Sequence, residues 1–137
     1  MTFKTLAISA AVAVTTLLAL PAHAQFAKSE EAVKYRQGSL FVIGQHFGRI
    51  GAMVNGKLPF DAKAAQENAD IVAAMAALPW TGFGPGTDKG APHKAKPNVW
   101  TEKAKFNEHA QTFQAEAAKL ASAAKTGNLE QIKTAFG

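Results

Sequence analysis

The chain has 137 residues, with 15 lysine and arginine residues against 10 aspartate and glutamate residues, which gives a formal net charge of +5, and it has no cysteine. This length suits one domain. The absence of cysteine excludes disulfides, thiolate metal sites and thiol nucleophiles. The charges are mild and interspersed, so the sequence gives no basic stripe of the kind that binds nucleic acid.

The first 24 residues have the pattern of a secretory signal peptide. Lys4 gives a short positive start, residues 6–20 form an apolar run, and Ala22-His23-Ala24 is a small-residue cleavage pattern. The apolar run is too short for a comfortable membrane span. We therefore expect cleavage after Ala24, export to the periplasm of a bacterium, no membrane anchor, and a mature domain of residues 25–137.

Residues 29–54 predict one long amphipathic helix. Ser29 is a plausible N-cap for it, and Asn55-Gly56 a plausible stop. Apolar residues recur at steps of three and four, the spacing that keeps one face of a helix against its neighbours in a bundle. This stripe consists of Val33, Arg36, Leu40, Ile43, Phe47, Ile50 and Val54. The arginine in the stripe has two interpretations: Arg36 extends to the rim near the helix start, or it meets an anion bound between the helices.

A second helix is predicted to begin at an Asp61 N-cap and to end before Pro79. Residues 79–97 are rich in proline and glycine, which excludes regular structure there. Trp80 and Phe83 indicate that the first part of this loop docks on an apolar surface. The second part, residues 89–96, is basic and polar, and we expect it to be mobile.

A third helix is predicted from Val99 or Trp100 to Lys125, and a short fourth helix starts at an Asn128 N-cap with Gln131 three residues later. The fold class is therefore all-α, an antiparallel four-helix bundle with an incomplete fourth helix. The first and third helices span ~39 Å each and the fourth only ~14 Å. From this mismatch we expect that the chain lacks its end.

No constellation in the sequence indicates an enzyme. His46, His93 and His109 do not have metal-site spacing, and we expect all three to be surface imidazoles. The remaining feature is a bundle whose large aromatic residues could line a flat apolar cavity. Those residues are Trp80, Phe83, Phe106 and Phe113. A porphyrin suits such a cavity, with an arginine at the rim for its propionates.

Four stretches in order make the sequence recognisable. They are QFAKSEEAVKYRQGSL (25–40), HFGRI (46–50), LPWTGFGPGT (78–87) and KTGNLEQIKTAFG (125–137). The sequence resembles the cytochrome c′ family over residues 25–137. The resemblance implies an antiparallel four-helix bundle, commonly a homodimer through its first two helices, with a five-coordinate haem c.

The resemblance also implies roles for individual residues. Arg36 and Gln37 would contact the haem propionates, and Leu40 would cover the open face of the iron. Trp80, Phe83 and Phe106 would line the pocket. In the family a CxxCH motif follows on the fourth helix and supplies the thioether bonds and the proximal histidine; these 137 residues contain no such motif, so as given the chain cannot attach haem covalently.

Two functions of different classes follow. The first is a periplasmic cytochrome c′-like protein that binds haem iron, for electron transfer or for binding of NO and CO, with redox proteins and these gases as partners. The alternative is a haem-free helical bundle that acts as a binding or interaction protein. The aromatic residues and Arg36 favour the first, because a bundle without haem has no use for an arginine in its stripe.

Overall fold

The computed structural model describes residues 25–137, and the expected signal peptide lies outside the described residues. Five α-helices and one 3₁₀ turn make up the described part, which contains no strand. The helices are α1 (Ser29–Val54), α2 (Ala62–Met75), α3 (Asn98–Thr101), α4 (Lys103–Lys125) and α5 (Leu129–Phe136), and the 3₁₀ turn is Pro79–Phe83. The all-α prediction is confirmed, and α1 has the predicted bounds.

Two clusters of buried side chains show that the long helices run antiparallel. One cluster joins the C-terminal end of α1 to the start of α2, the end of α4 and α5; its members include Ile50, Met53, Ala65, Leu120 and Ile132. The second joins Ile43, Val72, Ala76 and Ala117. From the first cluster to the second, residue numbers fall in α1, rise in α2 and fall in α4. Each of these helices therefore runs antiparallel to the next one in the chain. This is the predicted four-helix bundle, with α1, α2, α4 and α5 as its members.

The helix ends match the sequence in part. Asp61 and Asn128 are the N-caps of α2 and α5, and their side chains accept hydrogen bonds from the backbone N–H groups of Ala64 and Gln131, both at 3.0 Å. The prediction that Ser29 caps α1 is wrong, because the N-cap is Lys28 and makes no side-chain capping bond.

The third predicted helix is broken near its start. Glu102 leaves the helical conformation, with φ −111° and ψ 47°, and separates α3 from α4. Trp100 of α3 reaches the loop that follows the 3₁₀ turn, where its Nε1 lies 3.2 Å from both Gly84 O and Thr87 Oγ1.

The apolar stripe of α1 is buried at only part of its length. Val33, Arg36, Ile43 and Ile50 are buried, whereas Leu40 is 40% exposed and Phe47 is 37% exposed. Both exposed residues line cavities between the helices. The stripe therefore faces the bundle interior along its length, but cavities remain in the interior beside Leu40 and Phe47.

Glycine serves close packing at one point of α1. A Cβ on Gly51 would lie 2.9 Å from Phe136 Cζ, so the missing side chain lets α5 approach. The ring of Phe136 stacks on Phe47 with centroids 4.4 Å apart. None of the helices in residues 25–137 is long and apolar enough to cross a membrane.

We predict that Ile132→Ala lowers the free energy of unfolding by about 2–5 kcal/mol, because Ile132 is fully buried in the larger cluster and its loss leaves a cavity. Leu58→Ala, which truncates an exposed side chain in the α1–α2 connection, is the control and should change it by less than about 0.5 kcal/mol. Urea denaturation followed by circular dichroism measures both. Equal effects would show that α5 does not contribute to the core.

Candidate binding cavity

A cavity of about 940 Å³ opens between the first half of α1, the 3₁₀ turn, the segment before α3, and the start of α4. Its volume lies in the upper part of the range that protein pockets for small molecules show. The residues that line it are Arg36, Gln37, Leu40, Phe41, Trp80, Phe83, Pro92, His93, Lys94, Ala95, Val99 and Phe106. A flat, largely apolar ligand of several rings would suit this wall.

The structure brings together all six residues that the sequence proposed for a cofactor. Arg36, Gln37 and Leu40 lie on α1, one turn of helix apart from first to last, and the other three enter from the turn and from α4. Their contacts with a ligand remain predictions. Phe113, the fourth aromatic of the predicted cavity, instead borders a separate cavity of about 280 Å³ near Phe136.

Arg36 is buried deep in the wall of this cavity. Its residue is 2% exposed, and its Nη1 donates hydrogen bonds to the backbone carbonyls of Gly82 at 2.7 Å and Thr87 at 2.8 Å. Its guanidinium lies over the ring of Phe83 at 4.5 Å and that of Trp100 at 5.3 Å from the centroid, within range for cation–π attraction. Burial lowers the pKa of Arg36, but a guanidinium still stays charged at any physiological pH.

These contacts exclude the first interpretation of Arg36, because the buried side chain does not extend to the rim. The second interpretation, an anion bound between the helices, stays a prediction. Two loop carbonyls already satisfy Nη1, while Nη2 is buried and has no hydrogen-bond partner. Nη1 of Arg36 thus bonds the turn and the following loop to α1, while Nη2 has no hydrogen-bond partner.

Gly82 makes this fastening possible. A Cβ there would lie 2.8 Å from the backbone oxygen of Ala32 and 2.8 Å from Arg36 Cβ. Only a residue without a side chain lets the turn come this close to α1, and the close approach carries the carbonyl of Gly82 to Arg36. The sequence contains the glycine but gives no sign of its neighbour, which lies 46 positions away.

The aromatic wall is held by contacts among its rings and by hydrogen bonds. Trp80 Nε1–H donates to the carbonyl of Ala76 at 2.6 Å, which fixes the indole at the end of α2. Phe83 and Phe106 meet at 5.0 Å, and Trp80 meets Phe106 edge to face at 5.8 Å. The rings of the wall thus support one another through aromatic contacts.

A lysine completes the α4 side of the site. Lys103 Nζ donates to the carbonyl of Phe83 at 2.8 Å and lies 4.9 Å from the centroid of the Phe106 ring. Burial lowers the pKa of Lys103 from its ordinary value. Its contacts tie the turn to α4, as those of Arg36 tie it to α1.

The segment from 88 to 96 borders one side of the cavity, where Pro92, His93, Lys94 and Ala95 line the wall. Gln37 Nε2 donates to the carbonyl of Pro92 at 3.0 Å. Gly90 has φ +104°, and a Cβ there would lie 2.8 Å from the backbone nitrogen of Glu30, so the segment passes directly over the start of α1. These contacts place the segment against α1, and its expected mobility stays a prediction.

His93, which the sequence assigned to the surface, lies in the cavity wall. Its ring centroid is 5.7 Å from that of Trp100, its Nε2 is 2.9 Å from the carbonyl of Asp88, and its Nδ1 is buried without a partner. Spacing could not reveal this residue, because its position depends on how the whole segment folds back. The other histidines lie elsewhere: His46 Nδ1 meets Asn68 Oδ1 at 2.8 Å between α1 and α2, and His109 is exposed.

Within residues 25–137 no three side chains of histidine, cysteine, aspartate or glutamate come together as metal ligands would. The cavity combines an apolar aromatic wall with the cationic groups of Arg36 and Lys94. An anionic group on an otherwise apolar ligand would complement it.

Comparisons with known proteins agree on one family. The family model described as Cytochrome C′ matches residues 31–137. A cytochrome c′ of Rubrivivax gelatinosus is 50% identical over 113 residues, covering 82% of this chain and 88% of that protein. A cytochrome c′ of Alcaligenes xylosoxydans xylosoxydans is 43% identical over 113 residues, covering 82% of this chain and 87% of that one.

Solved structures give the same result. The crystal structure of the Rubrivivax gelatinosus cytochrome c′ has a TM-score of 0.80, with 50% identity over 82% of this chain and 88% of the other. A ferrous variant of cytochrome c prime from Alcaligenes xylosoxidans, with bound NO, has a TM-score of 0.75, with 42% identity over 82% of this chain and 87% of that chain.

We predict that Gly82→Ala lowers the free energy of unfolding by about 1–3 kcal/mol, because the new methyl group forces the turn away from the backbone of α1 and stretches the Arg36–Gly82 bond. Gly84→Ala is the control in the same turn, since the nearest atom to its Cβ would be Thr81 O at 4.0 Å. Thermal melts of both variants test this. A larger loss for Gly84→Ala would contradict the packing described for the turn.

Proposed function

Because the chain belongs to the cytochrome c′ family, as its motifs predicted, we propose that the cavity at Arg36 binds haem for electron transfer or for binding of NO and CO. The relative with bound NO supports a gas among the ligands. Haem would supply an iron that takes up a diatomic gas or carries one electron. The residues of this chain hold the porphyrin, screen it from water and shape the space around it.

The observation that carries the proposal is the free end of Arg36. A buried donor without a partner costs about 1–3 kcal/mol, and more when it is charged. Nη2 of Arg36 is such a donor, and it belongs to the wall of a 940 Å³ cavity built mainly from apolar side chains. A porphyrin offers the two features that this site lacks, a flat apolar body and carboxylates.

The other predicted residues have roles that their positions support. Gln37 is exposed at the edge of the cavity, where it can reach a propionate after releasing Pro92. Leu40 presents an aliphatic side chain to the space where one face of the ring would lie. Trp80, Phe83 and Phe106 form the apolar wall that excludes water from the ring.

The 137 residues as given offer haem only non-covalent contacts. The 137 residues include no cysteine, so they cannot form the thioether bonds of haem c. The relatives support haem binding over the alternative of a haem-free bundle. The affinity of these residues for haem must then come from burial of the porphyrin and from its carboxylates.

The proposed setting is the periplasm, after removal of residues 1–24 as a signal peptide. The pattern at Ala22-His23-Ala24 supports this cleavage site. The proposed role is binding and not catalysis of a chemical transformation, since the cavity brings together no nucleophile with a general base.

The proposed oligomer is a homodimer through α1 and α2. Phe41 supports it, because this aromatic side chain on α1 is 66% exposed. A second copy that covers Phe41 would remove its apolar surface from water, a favourable change of about 25 cal/mol per Å².

We predict that the purified chain binds added haem in a one-to-one ratio and that Leu40→Trp weakens this binding at least about 10-fold, because the indole occupies the space of the porphyrin. Leu58→Trp places the same side chain at an exposed position outside the cavity and is the control. Titration followed by the Soret absorption measures the affinity. Absence of saturable binding by the unaltered chain would contradict the proposed function.

We predict that Phe41→Glu shifts the ligand-free protein from dimer to monomer, because a charge at the interface must lose its water. Ala115→Glu adds the same charge to an exposed position on α4, away from the proposed interface, and should leave the dimer intact. Sedimentation velocity distinguishes the two species. A monomeric unaltered chain, or equal behaviour of the variants, would contradict the proposed dimer.

A further inference from the structure

The described part of the chain contains two buried side-chain polar atoms without a hydrogen-bond partner, and both belong to the wall of one cavity. They are Nη2 of Arg36 and Nδ1 of His93. Buried polar groups in folded proteins nearly always have partners, so each exception needs an explanation. Two exceptions in one wall, contributed by elements 57 positions apart in sequence, point to a shared ligand.

The two atoms complement each other chemically. Arg36 Nη2 is a permanent donor. His93 Nε2 faces the carbonyl of Asp88 at 2.9 Å, and because a carbonyl oxygen can only accept, Nε2 carries the proton. In the neutral ring Nδ1 therefore carries a lone pair. The wall thus offers one cationic donor and one proton acceptor, a combination that fits carboxyl groups.

We infer that His93 is a second carboxyl-binding residue of this cavity, which holds one carboxyl group through Nδ1 while Arg36 Nη2 holds the other. Because a carboxylate is ionised at neutral pH, the hydrogen bond at Nδ1 needs one proton from solvent, and the resulting Nδ1–H donates to the carboxylate. The inference rests on the proposed function and extends it: the ligand class is a flat apolar molecule with two carboxyl groups, and its recognition uses the loop as well as α1.

An alternative role for His93 as an iron ligand fits the ring less well. Nε2, at the open end of the imidazole, is engaged with Asp88. Nδ1 lies next to the Cβ atom of its own side chain, so a broad porphyrin plane that approached this nitrogen end-on would meet Cβ. A carboxyl group is narrow and meets no such obstacle.

The position of His93 on the segment 88–96 allows a ligand to reach it. Both unpartnered atoms are covered in the ligand-free wall. The segment is bonded to α1 through Gln37 and Pro92 at an exposed point, and Gly90 packs against Glu30 beside it. The inference requires that the segment shifts to uncover Nδ1, where Lys94 on the same wall would attract an anionic group.

Iron-free protoporphyrin IX and its dimethyl ester test the inference, because they share one apolar ring and only the first has free carboxyl groups. His93→Phe keeps a ring beside Trp100 and removes both nitrogens. We expect it to weaken binding of the diacid about 10-fold or more and to leave binding of the ester unchanged. His109→Phe, at an exposed position outside this cavity, should alter neither. Quenching of tryptophan fluorescence measures the affinities.

A second variant distinguishes loss of the hydrogen bond to the carboxyl group from a change in the packing of the cavity wall. His93→Gln keeps a polar group that can hydrogen-bond a carboxyl, and it should recover part of the affinity for the diacid. Circular dichroism melts verify that each variant is folded.

The other outcomes overturn the inference and are distinguishable. Equal weakening of diacid and ester would make His93 a wall residue only. No weakening of either would remove it from the site while the proposed function stands. A change that appears only with haem, together with a shifted Soret band, would assign His93 to the iron. If the unaltered chain binds neither porphyrin, the proposed function and the inference fail together.

Discussion

The buried guanidinium of Arg36 is the contact on which the cavity depends. An arginine cannot lose its proton in a protein, so burying it requires acceptors close by. The chain supplies them by bending the turn and the following loop onto α1 until the carbonyls of Gly82 and Thr87 meet Nη1. The same bend sets Phe83 and Trp100 against the cation. The charge of Arg36 thus orders the loop whose carbonyls bind the guanidinium, and the ordered loop forms part of the cavity wall.

Much of this arrangement could be predicted from the sequence because it depends on local patterns. Helical periodicity gave the bounds of α1, and side-chain chemistry gave the caps Asp61 and Asn128. The residues chosen for the cavity converge because long side chains at helical spacing on α1 and aromatics at the start of a docked loop have few other places to go. Arg36 was recognisable because a charge in an apolar stripe is costly without a partner.

The rest depended on contacts that no local pattern reports. Periodicity shows which side of α1 faces inward, but not whether side chains fill the space there, so the exposure of Leu40 and Phe47 was missed. His93 was assigned to the surface because its neighbours are polar and basic. Its half-buried position follows from Gln37 and Gly90, which bring the segment onto α1 through contacts more than 50 positions apart. The composition of residues 89–96 describes that segment alone, whereas the position of His93 depends on the contacts of the segment with α1.

The two sides of the cavity differ in how they are held, and the difference bears on binding without thioether bonds. Arg36 is fixed before the ligand arrives, through two short hydrogen bonds and two aromatic faces. Fixing a group in advance lowers the entropy lost on binding. The side that carries His93 is held to α1 by one exposed hydrogen bond, from Gln37 to Pro92, and by the packing of Gly90 against Glu30. Arg36 thus places one carboxyl group through buried contacts, whereas the opposite wall depends on contacts nearer the surface.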